Sequence, residues 1–147
     1  MKQRGFTLIE ILVVITIIGI LSSVVLVGLN TARKQGRDTR RVADLRQVQN
    51  GLELYFQKNG TYPTGISSWS GLQSALTGAG IGITKISDDP LSSQHYSYGV
   101  TSAGDTYLLG ARLEDPGNAS LRDDIDGTPT GYSPSIDCND PVYCIQF

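Results

Sequence analysis

Cysteine, histidine, methionine and tryptophan are nearly missing from this sequence of 147 residues, which has two, one, one and one of them. There is no CxxC pair and no Cys/His cluster, so the usual donor sets for zinc and for dithiol redox chemistry are absent. A Ser–His–Asp relay would have to use His95, which stands in a Tyr/Ser-rich stretch without a local motif. The plain reading of His95 is a surface or half-buried strand residue. No Gly-rich phosphate loop follows a strand. Proline is missing from the first thirty residues, and so is a small-residue cleavage site, since Val24 to Leu29 is nearly all large and apolar.

Charge is scarce at the start and unevenly divided afterwards. The net charge is −2. Arg33, Lys34, Arg37, Arg40, Arg41 and Arg46 lie close together, with only Asp38 and Asp44 among them. From Asp88 onward there are ten acids against Arg112 and Arg122. The order is apolar anchor, basic segment, acidic body. The basic cluster suits phosphates of nucleic acid or anionic lipid headgroups. The plainer reading is a solvated helix face, or pairing with acidic surfaces of neighbouring copies, and nucleic acid is not the main partner expected. A hydrophobic core has to come from the remaining hundred or so residues, enough for one small domain.

What is abundant is the aliphatic run from Phe6 to Leu29, which is 24 residues with one charge. As a helix it would extend about 36 Å, against about 30 Å of membrane hydrocarbon. The basic start, Lys2 and Arg4, fits a secretory signal peptide, but the run is too long for one. A plain membrane anchor fits the length and leaves Glu10 unexplained. A carboxylate this deep in an apolar run costs about 2.5–3.5 kcal/mol on insertion scales and marks function.

Gly5-Phe6-Thr7-Leu8-Ile9-Glu10 accounts for both oddities. It resembles the prepilin processing motif of type IV pilins and type II secretion pseudopilins. The resemblance implies cleavage between Gly5 and Phe6 by a membrane prepilin peptidase, N-methylation of Phe6, and a role for Glu10 in assembly. A Glu10 facing the Phe6 amine of another copy would be paired where a lone one is not. Many members carry a proline inside the apolar run. This chain has none, and Gly19, Gly28 and Ser22-Ser23 are its only weak points. The resemblance is carried by residues 2–29 and, at the helix exit, by Leu52 to Pro63.

Beyond the run, Val42, Leu45, Val48, Leu52 and Tyr55/Phe56 recur at three- and four-residue steps. This spacing predicts one helix from about Phe6 to Lys58, stopped by Asn59-Gly60 with Pro63 just beyond. Trp69, Leu72, Ala75 and Leu76 share a face of a short helix ended by Gly78. His95–Val100 and Thr106–Leu113 alternate around a turn and predict an antiparallel hairpin, with Val142–Phe147 as a third strand. The expected fold is α+β. A long N-terminal helix, membrane-spanning in its first half, packs through residues 40–58 on a small antiparallel sheet of about three strands. The expected divisions are a leader at 1–5, an assembly helix at 6–29, its continuation at 30–60 and a globular head at 61–147.

Cys138 and Cys144 are separated by five residues, a spacing that permits a small disulfide loop. Export would make the disulfide the expected state. Asp123, Asp124 and Asp126, followed by Gly127, form a candidate site for calcium, a hard cation that takes several oxygen ligands. The EF-hand pattern is incomplete, and an acidic solvated loop is the alternative. Resemblance to major pseudopilins, which often carry calcium in the corresponding loop, strengthens the case for the ion but leaves the solvated loop as the first reading. Asn118-Ala119-Ser120 is a glycosylation-type triplet.

The resemblance implies a non-enzymatic structural subunit. It would be inserted in the cytoplasmic membrane as a precursor and then polymerised with copies of itself by dedicated assembly machinery. The leading expectation is an extracytoplasmic, cell-surface pilus filament for adhesion, motility or DNA uptake. The alternatives are a major pseudopilin driving type II protein export, and a membrane-tethered binding module that never polymerises.

Overall fold

The computed structural model describes residues 7–147, apart from the side chains of residues 24–28. Helix α1 runs Leu8–Asn59. It contributes to two compact units, one up to Lys34 and one from Gln35 to Phe147. In the first unit the described aliphatic side chains are exposed all round the helix, from Leu8 and Ile9 to Ile20 and Leu21. The expected membrane segment, residues 6–29, includes positions that lie outside the described set. Among the described residues no helix is long and apolar enough to cross a membrane.

In the second unit α1 is one-sided. Leu45, Val48 and Leu52 are buried, with Val42, Tyr55 and Phe56 packed beside them. The helix stops where the backbone must turn left-handed. Gly60 has φ of 75° and its N–H donates to the Phe56 carbonyl at 2.8 Å, a closure that suits glycine because it has no Cβ to clash. Helix α2, Trp69–Gly78, starts at Ser68, whose hydroxyl accepts from the Gly71 N–H at 3.2 Å. The Trp69 indole donates to the Ser87 carbonyl at 2.9 Å, which ties the following loop to the helix.

The sheet has four antiparallel strands: β1 Ser97–Thr101, β2 Tyr107–Arg112, β3 Tyr132–Ser133 and β4 Val142–Gln146. Their order is β3-β1-β2-β4. The expected hairpin and C-terminal strand are present. The fourth strand, β3, has two residues and shows no periodicity to read. One face of the sheet presents Tyr98, Val100, Tyr107, Leu109, Ala111 and Tyr143 to the cluster that includes the α1 stripe and α2. The other face is also covered: Leu108, Ile136, Cys138 and Cys144 form a second cluster with Ile125, Tyr132 and Val142 at its edge. The chain that follows the hairpin lies down on this face where the strands carry glycine. A Cβ on Gly99 would stand 2.5 Å from the Pro134 carbonyl oxygen, and one on Gly110 would stand 3.1 Å from Ile136. Glycine in a strand interior marks this kind of close approach.

Charge, too, is built into this unit. Arg41 is fully buried. Its Nε and second guanidinium nitrogen hold both Asp89 oxygens at 2.7 and 2.9 Å. Its remaining nitrogen donates to Asp38 at 2.7 Å and to Glu114 at 2.9 Å. Arg37 grips Glu114 in a two-pronged bond at 2.6 and 2.7 Å. Asp38 in turn accepts from the backbone N–H groups of Glu114 and Asp115, each at 2.9 Å. Each charge of this cluster is therefore matched, the condition under which removing one partner becomes costly.

Two outcomes follow. Arg37, with Arg41 behind it, holds the Glu114 carboxyl at about 2, below its ordinary 4.5, against the opposing effect of burial. The unfolded chain therefore takes up this proton first. The stabilisation is complete above about pH 4.5 and is lost as pH falls towards 2. Urea midpoints measured across that window should drop, and less steeply in Glu114→Gln. Gly99→Ala should cost about 1–3 kcal/mol through overpacking against the Pro134 backbone, read by urea denaturation of the full chain in detergent.

Candidate functional site

Two places on the chain concentrate chemistry. The first is the start of α1. Gly5 and Phe6 lie outside the described residues. Glu10 uses one carboxylate oxygen to accept from both the backbone N–H and the hydroxyl of Thr7, each at 2.7 Å. The Thr7 hydroxyl oxygen accepts in return from the Glu10 N–H at 3.4 Å. This is a reciprocal capping box, which the Thr-x-x-Glu spacing could have disclosed. Glu10 thus closes the helix start within one chain while standing among strongly exposed aliphatic neighbours, with Leu8 at 84% and Ile9 at 68% exposure. Hydroxyls further along are folded back: Thr16 donates to the Leu12 carbonyl at 2.8 Å and Ser23 to the Ile20 carbonyl at 2.7 Å. Their hydrogens are hidden from an apolar environment.

The second place is the C-terminal loop region. Cys138 and Cys144 form a disulfide, and both are fully buried. Carboxylate oxygens of Asp124, Asp126 and Asp140 lie within 4.8 Å of one another. Asp124 and Asp126 come from the acidic stretch noted in the sequence. Asp123 is exposed and stands apart from the trio. Asp140 is remote in sequence and carries no local signal. One Asp124 oxygen accepts from the Cys144 N–H at 2.8 Å, while the other is buried without a hydrogen-bond partner. Burial raises the Asp124 carboxyl above the ordinary range, and repulsion from Asp126 and Asp140 adds to this. Three hard oxygen donors, one of them buried and unpaired, fit a divalent cation such as calcium.

The remaining candidates do not converge. Of the basic cluster, Arg37 and Arg41 are consumed by the internal ion pairs, whereas Arg33, Lys34 and Arg40 are exposed. His95 is exposed on the rim of an open groove of about 470 Å³ that also touches Trp69, Tyr96 and Asp88. It makes no side-chain hydrogen bond among the described residues.

A helix start capped by Thr7 and Glu10, an aliphatic sleeve, and a four-stranded antiparallel sheet packed on the later helix together define the class of pilins and pseudopilins. Residues 1–26 match the family described as the prokaryotic N-terminal methylation motif. The type II secretion system core protein G of Vibrio cholerae is 30% identical over 131 residues, covering 83% of this chain and 90% of that protein. The Aeromonas hydrophila core protein G is 30% identical over 132 residues, 84% of this chain and 91% of that protein. The Escherichia coli core protein G is 44% identical over 63 residues, which is 43% of each chain. No solved structure matches this chain. The chain belongs to the family of the type II secretion system core protein G.

Replacing Cys138 and Cys144 together by serine should cost about 2 kcal/mol, the chain-entropy value for so short a loop. The comparison is of urea midpoints in the presence of a chelator, so that bound cation does not contribute.

Proposed function

We propose that this protein is a major pseudopilin-type subunit: a structural, non-enzymatic protein that polymerises through α1 into an envelope filament serving protein secretion. The observation that carries this reading is similarity to core protein G across the body as well as the N-terminus, 83% of the chain against the Vibrio cholerae protein. The N-terminal motif alone would serve a surface pilus equally well. The Cys138–Cys144 loop is the one feature that favours a surface pilus.

The precursor enters the cytoplasmic membrane with Lys2 and Arg4 inside and is cut by prepilin peptidase between Gly5 and Phe6. Phe6 is then N-methylated. The exposed aliphatic side chains of α1 find cover first in lipid and then against copies of the same helix in a periplasmic filament. Glu10 supplies direction. Its carboxylate has a poor environment in lipid and a good one beside the Phe6 amine of a neighbouring copy, so assembly relieves a cost that insertion imposes. The partners are other copies of the chain, the membrane, the peptidase and the secretion machinery. Nucleic acid is not needed in this role.

Asp124, Asp126 and Asp140 would hold calcium. The ion would offset the mutual repulsion of the three carboxylates and tie the Asp124–Gly127 loop to the disulfide loop.

Deletion of the protein should abolish export of a secreted substrate without loss of any surface filament. Glu10→Gln should reproduce the export defect while the subunit remains membrane-inserted, and intact mass should show loss of Met1 to Gly5 and gain of one methyl group. Surface filaments that vanish on deletion, with export intact, would assign the chain to a pilus. Normal export and assembly with Glu10→Gln would overturn polymerisation through this carboxylate.

A further inference from the structure

The cation site and the disulfide share their backbone. Cys144 sits in β4, paired with Gly110 of β2, so it is fixed to the sheet. Cys138 lies in no strand, and the bond to Cys144 cross-links it to the sheet across the short backbone segment between them. The Cys144 N–H donates to Asp124 at 2.8 Å, and its carbonyl accepts from the Ile125 N–H at 3.4 Å. At the other end of the same loop, the Cys138 N–H donates to the Gly127 carbonyl at 2.7 Å. Asp140 lies inside the ring that the bond closes. The two half-cystines therefore anchor both ends of the Asp124–Gly127 loop and carry the third carboxylate between them.

We propose that the Cys138–Cys144 disulfide is the positioning element of the Asp124/Asp126/Asp140 site, so that closing the bond and binding a divalent cation strengthen each other. This rests on the cation reading given above. With the bond open, Cys138 and Asp140 are joined to β4 only through the backbone that leads into Val142, the ring that confines residues 139–143 is gone, and three carboxylates that repel one another spread apart. With it closed, the chain has already brought them together, and a cation needs to order less of the protein. Coupling of this kind is reciprocal: the factor by which the disulfide raises cation affinity is the factor by which the cation favours the disulfide over the dithiol. Reduction breaks the S–S bond, takes two electrons and two protons, and leaves two thiols. In the test these come from dithiothreitol, which closes to its cyclic disulfide.

The experiment is calorimetric titration of calcium into the full chain in detergent, with near-ultraviolet dichroism recorded at the same temperature. The oxidised protein should bind calcium. The Cys138→Ser/Cys144→Ser variant should bind about 10- to 100-fold more weakly, the range seen when groups that orient metal ligands are removed. The second measurement uses the unaltered cysteines. In graded mixtures of reduced and oxidised dithiothreitol, calcium should shift the dithiol–disulfide equilibrium towards the disulfide by the same factor, and Asp140→Asn should abolish that shift. This arm decides the matter if the serine variant fails to fold. Equal calcium affinity with and without the disulfide, or a calcium shift that survives Asp140→Asn, overturns the coupling and leaves the cation site standing. Failure of the oxidised protein to bind calcium overturns both.

Discussion

Helix α1 has to satisfy two environments with one backbone, and the rest of the structure follows from how it does so. Among the described residues near its start, aliphatic side chains point in every direction, so this part of the helix has no polar face to give to water. Further on, the apolar residues narrow to the Leu45, Val48, Leu52 stripe, which the chain covers with its own sheet and second helix. The first pattern demands lipid or other copies; the second demands an attached domain. A subunit that moves from membrane to filament needs both.

The attached domain is referenced to the helix by charge as well as by packing. Arg41 joins α1 to the loop carrying Asp89 and to the strand exit carrying Glu114, and Asp38 captures backbone donors from that same exit. A hydrophobic stripe resists separation but tolerates small slips along the helix. A planar guanidinium held on all its edges does not, because each displacement leaves a buried charge unmatched. The ion cluster thus sets position where the stripe supplies adhesion.

On the far side of the sheet, the C-terminal third of the chain performs a different task. Beyond β2 it has one four-residue 3-10 turn, Ala119–Arg122, and few strand residues, yet it covers Leu108, and the strands carry glycine at the points of closest approach. Its order comes from a disulfide and from hydrogen bonds between loops. That is also why its three carboxylates can stand close together: the backbone, and not any attraction among them, sets their separation.

Much of the fold was legible in the sequence. The apolar run, the later stripe, the Asn59-Gly60 stop and the alternating hairpin are local patterns, and helices, caps and turns are decided within a few residues. The N-terminal motif was legible for the same reason, since processing and capping read adjacent residues. The sequence by itself determined the class of subunit and the order of its parts. The tertiary structure alone decided the partners of the charged residues. In sequence Arg37 and Arg41 were two members of a basic cluster, and only the fold brings Asp89 and Glu114 to them, just as only the fold brings Asp140 beside Asp124 and Asp126. Strand β3, too short to carry a period, exists because β1 offers it an edge. A charge or a two-residue strand has no local signature of its partner, and only folding places that partner beside it.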